Sequence, residues 1–377
     1  MTTQPTRLLL SQLSWGTIDS TPKQLPIDYP ALLDYALNVR LSSLQVSSPP
    51  FSKCVLLPQL NFGGLHLVRL IKFDDDEIWV VRIQLNGGTQ QARQRLVGEA
   101  HALSLVRERT RIPVPFVFAF ESTTQNPVGV PFFLMEFVPG DTAMDSFGGY
   151  EVHRGQIPQH HKPSFMRQIA KLQVEMASVR FSQIGMVIRQ HDGSYTIGPL
   201  PILGGPFSTA TEYFKAWAKH AKFPKSEEEL QRSLPEGLEE LKSSILNFPS
   251  FLAAAANQIP LLNGPFPLYH PDFRHSNIIV DTNCNVLSVI DWENASTVPW
   301  EIVQPPLFLS TVPAPMNLRS DYDENGLPID PEERRSWQDQ EDYNLAGAFK
   351  LYLDPGKIGF YCKVLDQFSA DARGNVV

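Results

Sequence analysis

The sequence predicts an α+β chain in two lobes: residues 1–137 form a small lobe on an antiparallel sheet, and residues 138–377 form a larger, mainly helical lobe. Three observations carry this prediction. Two β-rich runs, Leu65 to Phe73 and Glu77 to Leu85, flank Asp74, Asp75 and Asp76, a segment suited to a short hairpin loop. Two further runs, Phe116 to Glu121 and Pro131 to Val138, follow a stretch with helical spacing, so the order is strand, strand, helix, strand, strand. Past the chain reversal at Pro139-Gly140, apolar residues recur at helical intervals.

The first element is a helical extension. Tyr29 to Leu44 (YPALLDYALNVRLSSL) sets leucines and alanines at helical spacing, and SSPPFS from Ser47 to Ser52 breaks it. The hairpin strands follow. Gln90 to Glu108 then lacks proline and, except for Gly98, glycine; Leu96, Ala100, Leu103 and Leu105 make an apolar stripe that stops before IPVP at Ile112 to Pro115. In the second lobe, Ser164 to Phe181 carries Phe165, Ile169, Leu172 and Met176, and Glu227 to Leu246 and Pro249 to Ala256 read as further helices. At 42% hydrophobic over 377 residues, the chain can bury a core in each lobe.

The chemistry concentrates between Leu268 and Trp292, LYHPDFRHSNIIVDTNCNVLSVIDW, where a polar loop feeds two apolar runs joined by a turn. The loop holds His270 and Asp272, Asn277 follows five positions later, and Asp291 closes the second run. That is the catalytic order of a kinase. In phosphoryl transfer one carboxylate orients the attacking hydroxyl, while an amide oxygen and a second carboxylate hold Mg²⁺ against the nucleotide phosphates.

At these residues, HPDFRHSN from His270 to Asn277 and IDWE from Ile290 to Glu293, the chain resembles the aminoglycoside phosphotransferase family, which is related to choline kinases and more distantly to protein kinases. The resemblance spans roughly residues 55 to 310, and GGPF at Gly204 to Phe207 and GPF at Gly264 to Phe266 belong to it. It implies a protein-kinase-like two-lobed fold and the cofactors ATP and Mg²⁺. By the same resemblance Asp272 is the catalytic base, His270 braces its loop, and Asn277 and Asp291 are the magnesium ligands. The run WVVRIQL places Arg82 as the phosphate-contacting cation, paired with Glu99 on the helix. Gly63 and Gly64 in NFGGLHLV cover the phosphates, and Glu136, Phe137 and Val138 in FFLMEFVPGD form the hinge that meets the adenine. Two features differ from most kinases: arginine replaces lysine at position 82, and the glycine loop has two glycines.

A net charge of -8 argues against nucleic acid or an anionic membrane as partner, and the resemblance implies a small-molecule hydroxyl substrate. Three scattered cysteines, Cys54, Cys284 and Cys362, fit a reducing compartment, and no apolar run suggests a signal peptide or a membrane span, so a soluble, unprocessed cytoplasmic protein is expected. The histidines of EVHRGQIPQHH (His153, His160 and His161), Asp74 to Asp76 and the acidic stretch Asp321 to Glu333 read as solvated loops. Phe147 to His161 and Asp321 to Asp342 are candidate rims of the substrate pocket. Three other readings stand beside the kinase. Arg82 and Glu99 can be a purely structural ion pair; the chain can be a kinase-fold binding protein without turnover; or the fold can serve nucleotidyl transfer or transient substrate activation in a biosynthetic pathway.

Overall fold

Period-two alternation on one strand decides where Arg82 points. The computed structural model describes residues 15–17, 26–43, 51–85, 88–149, 152, 156–221, 226–233, 239–258, 263–303, 319–335 and 337–338. Strands β1 (Gly16–Thr17), β2 (Cys54–Phe62), β3 (His66–Phe73), β4 (Ile78–Gln84), β5 (Val117–Glu121) and β6 (Phe132–Glu136) form one antiparallel sheet in the order β1-β2-β3-β4-β6-β5. On β4, Trp79, Val81 and Ile83 enter a core with Phe132 and Leu134 of β6 and with Leu32 and Ala36 of helix α1 (Tyr29–Ser43). Val80, Arg82 and Gln84 therefore face the other way, toward helix α2 (Gln90–Arg109), where the Gln84 side chain donates to the Ala92 carbonyl at 3.2 Å. A slip of one residue would turn Arg82 into the apolar core, so burial of its neighbours fixes its direction.

Strand β2 was not legible in the sequence, because Pro58 interrupts its pattern. The register with β3 shifts between Leu56 and Leu60, a bulge that takes up the proline, which has no N–H to offer the ladder. The aspartates between β3 and β4 form the expected hairpin tip, where both oxygens of Asp75 accept from Arg40 of α1 at 2.7 Å.

The second half is mixed rather than purely helical. Strands β7 (Asp141–Thr142), β12 (Ile278–Val280) and β13 (Val286–Val289) make a three-stranded sheet, β13-β12-β7. Strands β8 (Arg180–Phe181), β9 (Gly185–Arg189), β10 (Tyr195–Gly198), β11 (Phe266–Tyr269) and β14 (Ser296–Thr297) make a second sheet, β10-β9-β14-β11-β8. Helices α3 (Lys162–Ser178), α4 (Ala210–His220), α5 (Glu227–Ser233) and α6 (Glu239–Ala255) complete it. The β9–β10 hairpin and α4 lie outside the elements expected from the sequence, and Phe181 belongs to β8 rather than to α3. Helix α6 also continues through Pro249, where a break was expected, and its Phe248 ring lies 6.2 Å from Trp217 of α4.

Helix α2 starts on Thr89, whose hydroxyl accepts from the Ala92 N–H at 3.1 Å. Its one glycine has a packing neighbour: a Cβ at Gly98 would stand 2.5 Å from the sulfur of Met186 on β9, so a larger residue would have to push that side chain aside. Among the described residues no helix is long and apolar enough to cross a membrane. His153, Cys362 and the end of the acidic rim past residue 338 lie outside the described residues.

Candidate active site

The loop between β11 and β12 is held by its own short-range bonds. His270 is fully buried, its ring 4.9 Å from that of Trp292. Its Nε2–H donates to the Ile290 carbonyl at 3.0 Å, and its Nδ1 accepts from the Asp272 N–H at 3.2 Å. Those two roles define the neutral tautomer, and burial pushes the imidazole below its ordinary range in the same direction. Asn277 spends its amide nitrogen on Asp272, on the carbonyl at 2.9 Å and on Oδ2 at 2.8 Å, so its amide oxygen is the atom available to a cation. The other oxygen of Asp272 lies 2.5 Å from Nε of Arg274.

Ile290 joins this loop to the next carboxylate. It donates its N–H to the Asn277 carbonyl at 2.9 Å while accepting from His270, and the chain then turns sharply, with Asp291 at φ 61°. The indole of Trp292, buried in the second-half core, donates back to Val289 at 3.0 Å and anchors the turn.

A second, buried cluster meets the loop at Asp291. Nη1 of Arg82 donates to Glu99 at 2.5 Å, and Nη2 donates to Asp291 at 2.9 Å. Nη2 also lies 3.2 Å from Nε2 of His66 and 3.7 Å from Glu293. Arg95, one helical turn before Glu99 on the same face of α2, reaches Glu293 at 3.4 Å. Three carboxylates thus share two guanidinium groups. Burial, reinforced by Asp291 and Glu293, pushes Glu99 up to about 7 in spite of Arg82. Burial pulls Arg82 down, but the surrounding carboxylates outweigh it and leave the guanidinium above its ordinary value; Glu293 is raised chiefly by burial. All three shifts point up: burial raises the two carboxylates, and their charge in a dry place raises the guanidinium. His66 moves the opposite way, to about 3, through burial and the two arginines.

Such a surplus of carboxylates suits a hard divalent cation; Oε1 of Glu293 makes no hydrogen bond, but it faces Nη1 of Arg95 at 3.4 Å. Among the described residues no group of three or more His, Cys, Asp or Glu side chains is placed to hold a metal by itself. A magnesium ion that takes its remaining ligands from phosphates and water needs only one or two protein carboxylates.

Of the residues singled out from the sequence, Arg82 touches both Glu99 and Asp291, and His270, Asp272 and Asn277 form one bonded loop beside them. Gly63 and Gly64 make the β2–β3 turn, closed by the Gly63 N–H on the His66 carbonyl at 2.9 Å. A Cβ at Gly63 would meet only that carbonyl at 3.8 Å and one at Gly64 nothing within 4 Å, so the turn is open toward a ligand. Glu136 ends β6, its N–H bonded to the Phe116 carbonyl at 2.8 Å, and Phe137 and Val138 follow outside the ladder. Neither segment contacts the Asp272 loop through a hydrogen bond or ion pair among the described residues. Four residues were missed: Glu293, Arg95, His66 and Arg274. Glu293 stood in the IDWE motif and Arg274 in HPDFRHSN, whereas Arg95 and His66 stood in no motif.

A model of the phosphotransferase enzyme family matches residues 60–300. The chain is 23% identical to altered inheritance of mitochondria protein 9, mitochondrial, of Zygosaccharomyces rouxii, over 68% of this chain and 50% of that protein. It is 24% identical to a subtelomeric hrmA-associated cluster protein of Aspergillus fumigatus, over 37% of this chain and 26% of that protein. The chain therefore spans about half the length, or less, of these relatives. Among solved structures it is similar to the apoenzyme of macrolide 2'-phosphotransferase MphH from Brachybacterium faecium, with 14% identity, TM-score 0.44, and coverage of 91% of this chain and 94% of that one. It is also similar to a thermostable aminoglycoside phosphotransferase APH(4)-Ia in ternary complex with AMP-PNP and hygromycin B, with 16% identity, TM-score 0.41, and coverage of 70% and 72%.

Proposed function

The chain belongs to the phosphotransferase enzyme family, and from that premise we propose that it is an ATP- and Mg²⁺-dependent kinase acting on a hydroxyl of a small molecule. The observation that carries the reading is the Arg82 guanidinium bridging Glu99 and Asp291, with Asp291 tied through Ile290 to the loop that holds Asp272. A cation that can stand at the phosphates and a carboxylate that can orient an acceptor thereby lie on adjoining elements.

In this mechanism the adenine meets the backbone of Glu136, Phe137 and Val138 between lobes divided at residues 137 and 138. Arg82 and the Gly63-Gly64 turn face the phosphates. Asn277 and Asp291 would hold Mg²⁺, which screens charge on the β- and γ-phosphates. Asp272, its carboxylate fixed by Asn277, orients the acceptor hydroxyl and takes its proton as the oxygen–phosphorus bond forms and the bond to the ADP oxygen breaks. His270 acts on the loop alone. Positioning and preorganised charge supply most of the rate.

A second reading has its own observation. Arg82 sits on Asp291 and Arg274 on Asp272, so both carboxylates that a working site needs are occupied by cations, as in a binding protein without turnover. Incubation with γ-labelled ATP, Mg²⁺ and a panel of hydroxyl compounds decides. Label on an acceptor supports the kinase; nucleotide binding with no labelled product overturns it, and a product mass carrying AMP assigns nucleotidyl transfer. No nucleic acid or membrane partner is proposed. The cytoplasmic placement rests on cysteine usage, and because a relative carries "mitochondrial" in its name, fractionation of tagged protein tests it.

A further inference from the structure

Glu293 has no part in the mechanism above, yet it is 8% exposed and carries an oxygen without a hydrogen bond. Its carboxylate lies between two cations from different elements: Arg82 of β4 at 3.7 Å and Arg95 of α2 at 3.4 Å, with His66 at 3.8 Å. A buried carboxylate in that position must be doing something for the groups around it, since burial alone is costly.

The Arg82 fork shows what that is. Its Nη1 is committed to Glu99, while Nη2 is held by Asp291. On the proposed function Asp291 would hold Mg²⁺, and the second edge of the guanidinium would then be left without Asp291, beside the neutral ring of His66 at 3.2 Å. Glu293, whose Oε2 lies 3.7 Å from Nη2, is a carboxylate already poised at that edge. A lysine here would present one compact ammonium and would need no second anchor, whereas a planar fork held on one edge can swing. We propose that Glu293 is the positioning residue that takes over the second edge of Arg82 when Asp291 engages the cation, keeping the guanidinium aimed at the phosphates. Arg95 completes the device. It holds Glu293 from the same face of α2 that presents Glu99, so two successive turns of one helix fix both ends of the fork.

This inference rests on the proposed function, and its test separates the two. ATP affinity is measured by calorimetry, with Mg²⁺ and with EDTA, for the unmodified chain, Glu293→Gln, Arg82→Lys and the double variant, each checked by thermal melting. Glu293→Gln is expected to weaken MgATP binding roughly tenfold or more and metal-free ATP binding by less than about twofold, because Asp291 still holds Arg82 without the cation. In the Arg82→Lys background, Glu293→Gln adds less than about twofold even with Mg²⁺. Equal losses with and without Mg²⁺, unchanged MgATP affinity, or fully additive effects of the two substitutions each overturn the positioning role. Should Glu293→Gln fail to fold, Glu293→Asp, which keeps the charge and shortens the reach, must give an intermediate loss confined to MgATP. An unmodified chain that binds neither form of ATP overturns the proposed function and this inference with it.

Discussion

Two halves of the candidate site are built on opposite plans. Asp272 finds its partners nearby in sequence, with Arg274 two residues away and Asn277 five, and about 40% of its side chain is exposed. Arg82 bonds Asp291 across 209 residues of sequence and sits with Glu99 at the bottom of a buried cluster. The loop has its geometry locally, whereas the cluster exists only when the sheet, α2 and the β13 turn are assembled. On the proposed function this separates chemistry from stability: damage to the loop is expected to fall on turnover, and damage to the cluster on nucleotide binding and folding together.

The largest effect should come from the loop. Asp272→Asn keeps the shape and removes the proton acceptor, so phosphate transfer is expected to fall by about 10³-fold or more, at the scale of losing a general base. Nucleotide affinity and melting temperature stay near those of the unmodified chain. Turnover preserved in Asp272→Asn would remove Asp272 from its assigned role, and a large fall in melting temperature would erase the contrast between the two halves.

The matching experiment on the cluster is Glu99→Ala. It leaves a buried guanidinium short of its nearest anion, and breaking a buried pair from one side costs about 3–5 kcal/mol. Urea unfolding is expected to report that loss, together with weaker ATP binding. A third substitution sharpens the boundary. Asn277→Ala frees one oxygen of Asp272 and removes an amide ligand, so turnover should fall by about 10–100-fold and the Mg²⁺ requirement should rise, with little change in stability. A Mg²⁺ dependence unaltered in Asn277→Ala counts against its ligand role.

The same division explains what the sequence disclosed. Asp272, Asn277 and Asp291 were legible because their spacing is the local geometry, and the family match over residues 60–300 agrees with the resemblance read from HPDFRHSN and IDWE. Arg82 was legible through the resemblance of WVVRIQL to the family strand, and the structure adds the strand alternation that aims it at α2. Glu293, Arg95 and His66 were not, because their meaning lies in approaches between distant segments: α2 beside the turn after β13, and the start of β3 beside both. A charge on a helix looks solvated until the surface it meets is known. Pro58 hid β2, and the short β9–β10 hairpin was lost among helical spacing for the same reason, since pairing across sheets leaves little trace in a short segment.

The smallest expected effect reads the burial of the cluster's titratable groups, in metal-free protein. His66 is held neutral down to about 3 instead of 6.5, so between those values the unfolded chain binds a proton that the folded chain refuses. Its contribution to stability is therefore lost as pH falls from 6.5 toward 3. Glu99, raised from 4.5 to about 7, has the opposite sign: the folded chain binds its proton first, and its contribution rises as pH falls through 7 to 4.5. Over the shared window the two slopes oppose each other, each at most about 1.4 kcal/mol per pH unit. His66→Asn removes one of them. Its stability, followed by urea unfolding with EDTA present, should decline less on mild acidification than that of the unmodified chain, while Glu99→Gln should decline more. If both variants kept the unmodified slope, the titrations that set it would lie elsewhere, and neither His66 nor Glu99 would be held away from its ordinary range.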